Sequence, residues 1–257
     1  MNNGSDDDRF LGIRLNRYLA LCGVTSRRKA LVQIQEGRVT VNGEKILEPS
    51  VRIIPGRDDV RYDGRLISAP EEWIVLAFNK PPGFITARSD THGRSTIMDV
   101  LGGTGAAVFP VGRLDRDSEG LLLLTNCGDL AHALLHPRYG IQRDYLTVLQ
   151  WEPSDQDIKK LQEGVSIGPG EWVQPESVKR GGAKTALRIV LTEGKKREVR
   201  RMVQAVGHRV IRLVRLSFAG IELGDLPSGK TRPLTPRERK MLEEMTGVDL
   251  GPLPWIE

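Results

Sequence analysis

The chain has 257 residues, 39% of them hydrophobic and 28% charged, with a formal net charge of +5. That length allows one large domain or two ordinary ones, and no stretch reaches the roughly 20 apolar residues needed to cross a bilayer. Two cysteines and four scattered histidines offer neither a disulfide framework nor metal-ligand spacing, so a reducing, cytoplasmic setting without a metal is expected.

Residues 1–8 are polar and acidic, and 1–11 read as a disordered tail, not a secretory signal or transit peptide. Residues 12–70 read as a small domain with its connector. Leu15, Leu19 and the run 21–24 predict a short helix ending near Gly23. Thr25 or Ser26 then caps a second helix, with Ala30, Leu31 and Ile34 as apolar positions and Gly37 as its stop. Val39-Thr40-Val41 alternates as a strand, Asn42-Gly43 is the preferred dipeptide of a tight hairpin, and Lys45-Ile46-Leu47 begins the return. Residues 13–47 hold seven Lys/Arg, among them Arg14, Arg17, Arg27, Arg28 and Lys29, against two Glu. Arg27, Arg28 and Lys29 fall in a helix's first turn, where cations oppose the helix dipole. Phosphate binding accounts for them better than stability does, since backbone amides of the same turn are also donors.

Pro49, Pro55-Gly56 and Pro70 mark a connector. A second domain is expected over 71–245, with a C-terminal tail at 246–257. It opens on the apolar run 73–78, and further strands are predicted over 120–125, 145–149, 185–191 and 210–216. Helices are predicted over 129–136, 155–163 and 197–206, the last stopped by Gly207. Strands outnumber helices at hairpin-like spacing, which predicts an α+β domain on a mixed, largely antiparallel sheet. A second basic block, 194–215, carries eight Lys/Arg against one Glu. Two such blocks on an otherwise acidic chain suggest a polyanionic partner.

The chemistry concentrates in Gly112-Arg113-Leu114-Asp115-Arg116-Asp117-Ser118-Glu119-Gly120, just before four consecutive leucines. The leucines predict a strand buried on both faces. Charged groups at the mouth of such a strand stand where a rigid scaffold meets solvent, which suits a catalytic carboxylate.

This segment, continuing through Thr125-Asn126, resembles the signature of bacterial ribosomal RNA pseudouridine synthases of the RsuA/RluB-like family. Asn79-Lys80-Pro81-Pro82-Gly83 resembles the family's opening motif, and Tyr145 in Arg143-Asp144-Tyr145-Leu146 its tyrosine motif. The run from Glu193 through Lys195-Lys196-Arg197-Glu198 to Met202 resembles its basic third motif. The block from Arg14 to Gly43 resembles the S-four-like RNA-binding domain that many members carry in front. The resemblance spans roughly residues 12–240. Two positions depart from the pattern: Cys127 stands where an acidic residue is common, in an expected turn after the strand, and Arg143 stands where lysine is usual.

The resemblance implies isomerisation of uridine to pseudouridine in ribosomal RNA, with Asp115 as the catalytic carboxylate and no cofactor. Arg200 is implied as the cation beside it, and Tyr145 as the ring that stacks on the extruded uracil. Helical spacing agrees: Val199, Met202, Val203 and Val206 form a core face, with Arg200 at its edge and Arg197 and Arg201 pointing further out. Lys80 reads as a structural residue of its loop. Arg113, Arg116, Lys195, Lys196, Arg197 and Arg201 join the N-terminal cations as candidate RNA contacts. The chain resembles the branch that modifies large-subunit RNA more than the small-subunit branch, mainly through residues 195–201. That implies a large-subunit target, either free or in a subunit assembly intermediate; a monomer is expected. Two other readings are a non-catalytic ribosome-assembly factor and a metal-dependent RNA hydrolase using Asp115 with Asp117.

Overall fold

The computed structural model describes residues 12–103 and 108–253. The expected tail at 1–11 lies outside these residues, as does 254–257 of the expected C-terminal tail. The chain divides into two compact units, one holding residues 12–73 and 250–253, the other 74–249. Among the described residues no helix is long and apolar enough to cross a membrane.

The first unit runs β1 (Ile13–Arg14), α1 (Leu15–Leu21), α2 (Arg27–Gln35), β2 (Val39–Val41), β3 (Glu44–Ile46), β4 (Arg52–Ile53), β5 (Val60–Tyr62) and β6 (Arg65–Leu66). Its local signals act as expected. The Ser26 side chain accepts from the Lys29 amide and caps α2. Asn42 and Gly43 both take positive φ, 52° and 84°, as a two-residue hairpin turn matched to strand twist requires. The hairpin continues into a four-stranded sheet ordered β3-β2-β5-β6. Leu15, Leu19, Ala30, Ile34, Val39 and Val60 are fully buried in one core between the helices and this sheet.

The second unit begins with β7 (Val75–Lys80), α3 (Ile97–Leu101), β8 (Phe109–Pro110), β9 (Glu119–Thr125), α4 (Gly128–Leu135) and β10 (Arg143–Leu149). It continues with α5 (Asp155–Glu163), β11 (Val165–Gly168), β12 (Glu171–Val173), β13 (Ser177–Arg180), β14 (Ala186–Leu191) and α6 (Glu198–Ala205). It closes with β15 (Val210–Phe218), β16 (Ile221–Glu222), β17 (Thr231–Pro233) and α7 (Pro236–Thr246). The main sheet is ordered β13-β14-β10-β15-β9-β7-β17. It is mixed and largely antiparallel, with β15 and β9 paired in parallel through Val214↔Glu119 and Arg215↔Gly120. Leu121 to Leu124 are all fully buried because β9 lies inside the sheet with both faces covered.

Three local differences from the sequence expectation have clear causes. Helix α6 starts at Glu198, because Arg197 adopts the left-handed region (φ 51°) and cannot continue a right-handed helix. Cys127 is not in a free turn: its Sγ accepts from the Leu130 amide at 3.5 Å and caps α4. Helix α7 is unforeseen, although Thr235 and Glu238 form a capping box around Pro236.

Candidate active site

Asp115 sits in a short loop that enters β9, and the loop is held from beneath. The Lys80 ammonium, fully buried, donates to the carbonyls of Pro81 (3.0 Å), Arg116 (3.2 Å) and Ser118 (2.8 Å). Burial pushes Lys80 down to about 8, against the opposing pull of Asp117, Asp115 and Glu119. The Gly83 amide donates to the Arg116 carbonyl, and Arg116 Nε returns a bond to the Gly83 carbonyl (3.1 Å). Thr86 both donates to the Leu114 carbonyl (2.8 Å) and accepts its amide (3.2 Å). The segment after β7 is therefore the support of the Asp115 loop.

Two guanidiniums face the Asp115 carboxylate. Arg197 Nη1 lies 3.5 Å and Arg200 Nε 3.8 Å from the same Oδ2. These are ion-pair distances, beyond the range of a strong hydrogen bond, so the charges attract the carboxylate without locking its oxygens. Arg200 comes from the edge of α6, as its helical spacing predicts. Its terminal nitrogens donate to the carbonyls of Val210 (3.3 Å) and Asp117 (3.2 Å), which fixes the head while Nε stays toward Asp115. Arg197 does not point away as expected, because its left-handed backbone turns the side chain back over the carboxylate.

A cleft of about 780 Å³ opens over this pair and is lined by Asp115, Tyr145, Arg113, Lys195, Lys196 and Arg197, among others. Tyr145 is half-buried and packs against the hydrophobic clusters of both halves of this unit. Arg113 and Lys196 are exposed on the cleft rim. Lys195 is engaged by Glu193 (2.6 Å) and by the Trp172 carbonyl (3.1 Å). Arg201 does point away: it makes paired bonds to Glu171 (3.0 and 2.8 Å) and one to the Ile167 carbonyl (2.7 Å). The remaining candidates, Arg14, Arg17, Arg27, Arg28 and Lys29, belong to the other unit. There Arg27, Arg28 and Lys29 are exposed together in the first turn of α2.

Three buried charges on the cleft wall were not assigned a site role from the sequence. Arg143 reaches the carbonyls of Ile141 (2.8 Å), Thr192 (2.8 Å), Glu193 (3.3 Å) and Leu134 (3.4 Å). That fan of acceptors needs a planar fork, which lysine lacks. Glu198 opens α6 with its carboxyl buried, and the loss of solvent pushes its pKa up. Arginines stand at every third place at 209, 212 and 215; Arg215 is buried and Arg209 and Arg212 are exposed. A charge in every third place on a strand could have flagged it only if the strand's neighbours were known.

Comparison with known proteins identifies the family. Residues 74–205 match the family model for RNA pseudouridylate synthase, and residues 13–58 match that for the S-four domain. An RNA pseudouridine synthase of Aquifex aeolicus is 38% identical over 95% of this chain and 98% of its own. The ribosomal large subunit pseudouridine synthase B of Bacillus subtilis is 36% identical over 90% of this chain and 96% of its own. A crystal structure of a pseudouridylate synthase superposes with a TM-score of 0.65 at 27% identity, covering 90% of this chain and all of that one. With the family model spanning the half of the chain that carries Asp115, this chain belongs to the RNA pseudouridylate synthases, with an S-four domain ahead of the synthase domain.

Proposed function

We propose that the chain converts a specific uridine of large-subunit ribosomal RNA to pseudouridine, with Asp115 as the catalytic carboxylate. The observation that carries the assignment of Asp115 is its position between Arg197 and Arg200 on the cleft that also presents Tyr145. The large-subunit target rests on the likeness to the Bacillus subtilis enzyme.

Isomerisation breaks the bond from ribose carbon 1′ to uracil nitrogen 1 and makes one from carbon 1′ to carbon 5. The hydrogen at carbon 5 leaves as a proton to solvent, and nitrogen 1 gains one, so nothing is oxidised or reduced. The target must first leave its stack, at a cost of a few kcal/mol. Tyr145 offers an aromatic face to the extruded base. Arg113 and Lys196 at the cleft rim supply cations for adjacent phosphates. Asp115, its oxygens free of strong hydrogen bonds among the described residues, is placed to attack the nucleotide or to take a proton from it. Arg197 and Arg200 balance its charge as negative charge moves onto the base. The S-four domain holds the RNA backbone through Arg27, Arg28 and Lys29, together with Arg14 and Arg17 of the same unit. The protein acts as a monomer in the cytoplasm, on free RNA or on a partly assembled subunit.

The test uses ribosomal RNA tritiated at carbon 5 of uracil, with a chelator present. Wild type releases tritium, and Asp115→Asn loses release by at least about a thousandfold, as removal of a catalytic nucleophile does. Release unchanged in Asp115→Asn removes Asp115 from the chemistry. No release by wild type from free RNA or from subunit intermediates rejects these ribosomal targets.

A further inference from the structure

Two buried polar atoms on the cleft wall take no part in the reaction described above. Glu198 and Arg215 are 5% and 2% exposed, and both line the cleft that holds Asp115 and Tyr145. Each is half satisfied. Glu198 Oε2 accepts the Lys195 amide (3.2 Å), while its Oε1 has no hydrogen-bond partner among the described residues. Arg215 Nε donates to the Leu121 carbonyl (2.6 Å), while its Nη2 has no partner among them. Unpaired buried donors and acceptors are costly enough that native proteins keep few without a use.

Their placement is set by the sheet. The β10–β15 register puts Arg215 directly opposite Tyr145, with a bulge beyond that pair and Phe218 opposite Arg143. The Arg143 and Arg215 guanidiniums lie over the Phe218 ring, 5.1 and 4.9 Å from its centroid. Arg215 is thus held on the same face as the tyrosine ring and next to it. Arg143 is within electrostatic reach of both Glu198 and Arg215. Its Nη1 and Nη2 are committed to backbone carbonyls, so the two free atoms belong to the acid on one side and the arginine on the other. Ser118 Oγ is also buried and without a partner among the described residues, but a hydroxyl both donates and accepts and so carries no preference.

One free atom is an acceptor and the other a donor. The edge of uracil away from the sugar reads carbonyl, N–H, carbonyl. Cytosine has the opposite polarity at two of those places, with an amino group for one carbonyl and a bare acceptor at nitrogen 3. The uracil edge has a second property. A half-turn about the axis through nitrogen 3 and carbon 6 exchanges nitrogen 1 with carbon 5 and swaps the two carbonyls. The edge therefore looks the same before and after the base turns, and one pair of protein groups serves both orientations.

We propose that Glu198 and Arg215 form the uracil-reading pair, with Glu198 Oε1 accepting from the nitrogen 3 N–H and Arg215 Nη2 donating to a flanking carbonyl. The inference rests on the Asp115 cleft being the active site. It makes the pair specificity-determining for uracil over cytosine.

The test uses a fragment of large-subunit ribosomal RNA around the modified uridine, once that position is mapped, made with uridine, cytidine or 3-methyluridine there. Binding of each RNA is measured for wild type, Glu198→Gln and Arg215→Lys, with thermal melting to confirm the fold. Wild type is expected to prefer the uridine RNA by about tenfold or more, the worth of one hydrogen bond to a charged group. Glu198→Gln is isosteric, and its amide can turn either oxygen or N–H toward nitrogen 3, so the preference narrows to a few fold. Arg215→Lys narrows the preference over cytidine. No preference in wild type overturns the proposal, and so does a preference kept in full by either folded variant. The tritium assay on Asp115→Asn separates the two levels: if that variant still turns over, the site itself is wrong. If it is inactive and the base preference is unmoved, only the reading pair is wrong.

Discussion

Lys80 shows how much of the site depends on a residue that never faces the substrate. Its ammonium ties two carbonyls of the Asp115 loop, those of Arg116 and Ser118, to that of Pro81 from a fully buried position. Because burial lowers it to about 8 from 10.5, the unfolded chain keeps a proton that the folded chain gives up between those values. Stability from this group therefore rises with pH across that window and is lost as pH falls through about 8. Urea denaturation of wild type and Lys80→Met from pH 7 to 10.5 should show the difference moving in favour of wild type as pH rises. A difference that moves the other way, or stays flat, would contradict the lowered value.

At the scale of elements, the close parallel approach of β9 and β15 joins the Asp115 loop to the strand that carries Arg215. Gly120 makes it possible. Its φ is +100°, and a Cβ there would overlap the backbone of Arg215. Gly120→Ala should destabilise the protein by more than about 2 kcal/mol, from left-handed strain and from the clash together. Turnover should fall as well, since the strand end and the loop shift as one. An unchanged urea midpoint would mean that the two strands can part without loss. Helix α6 uses a comparable device at its start, where left-handed Arg197 ends the preceding loop and aims its own guanidinium at Asp115. A non-glycine residue in that region is strained by about 1–3 kcal/mol, and the ion pair helps to hold it there.

For the molecule as a whole, the proposed function divides the work between the two units, one holding RNA and the other changing it. The cations of the first turn of α2 are exposed and lie in the unit that lacks Asp115. Replacing Arg27, Arg28 and Lys29 with glutamine should weaken RNA binding and flatten its salt dependence. The log–log slope should fall by up to about 0.7 for each phosphate that is no longer neutralised. The single-turnover rate at saturating RNA should stay near that of wild type. Filter binding across salt concentrations and a single-turnover tritium assay measure the two effects separately. A slope unchanged by the triple substitution would take the anchoring role away from this turn.

The sequence by itself determined what depends on near neighbours along the chain. Ser26 as a cap, Asn42-Gly43 as a turn, the four leucines as a buried strand and Arg200 at the edge of a helical core face are all local patterns. Each survives in the structure because its cause acts within a few residues. Helix α7 was missed because it buries only Leu242 and Thr246, too few positions for a period, so its capping box stood alone. Tertiary structure decided which charges are buried and what they meet. Lys80 finds acceptors 36 and 38 residues away, Arg143 finds them 49 and 50 away, and Arg215 finds one 94 away. A buried charge is tolerated only where such partners converge, and strand pairing, not chain proximity, brings them together. That is why the nearness of Arg200 to Asp115, implied by the family resemblance and by helical spacing, is met at 3.8 Å, while the inward turn of Arg197 and the places of Glu198 and Arg215 could not be read from the sequence.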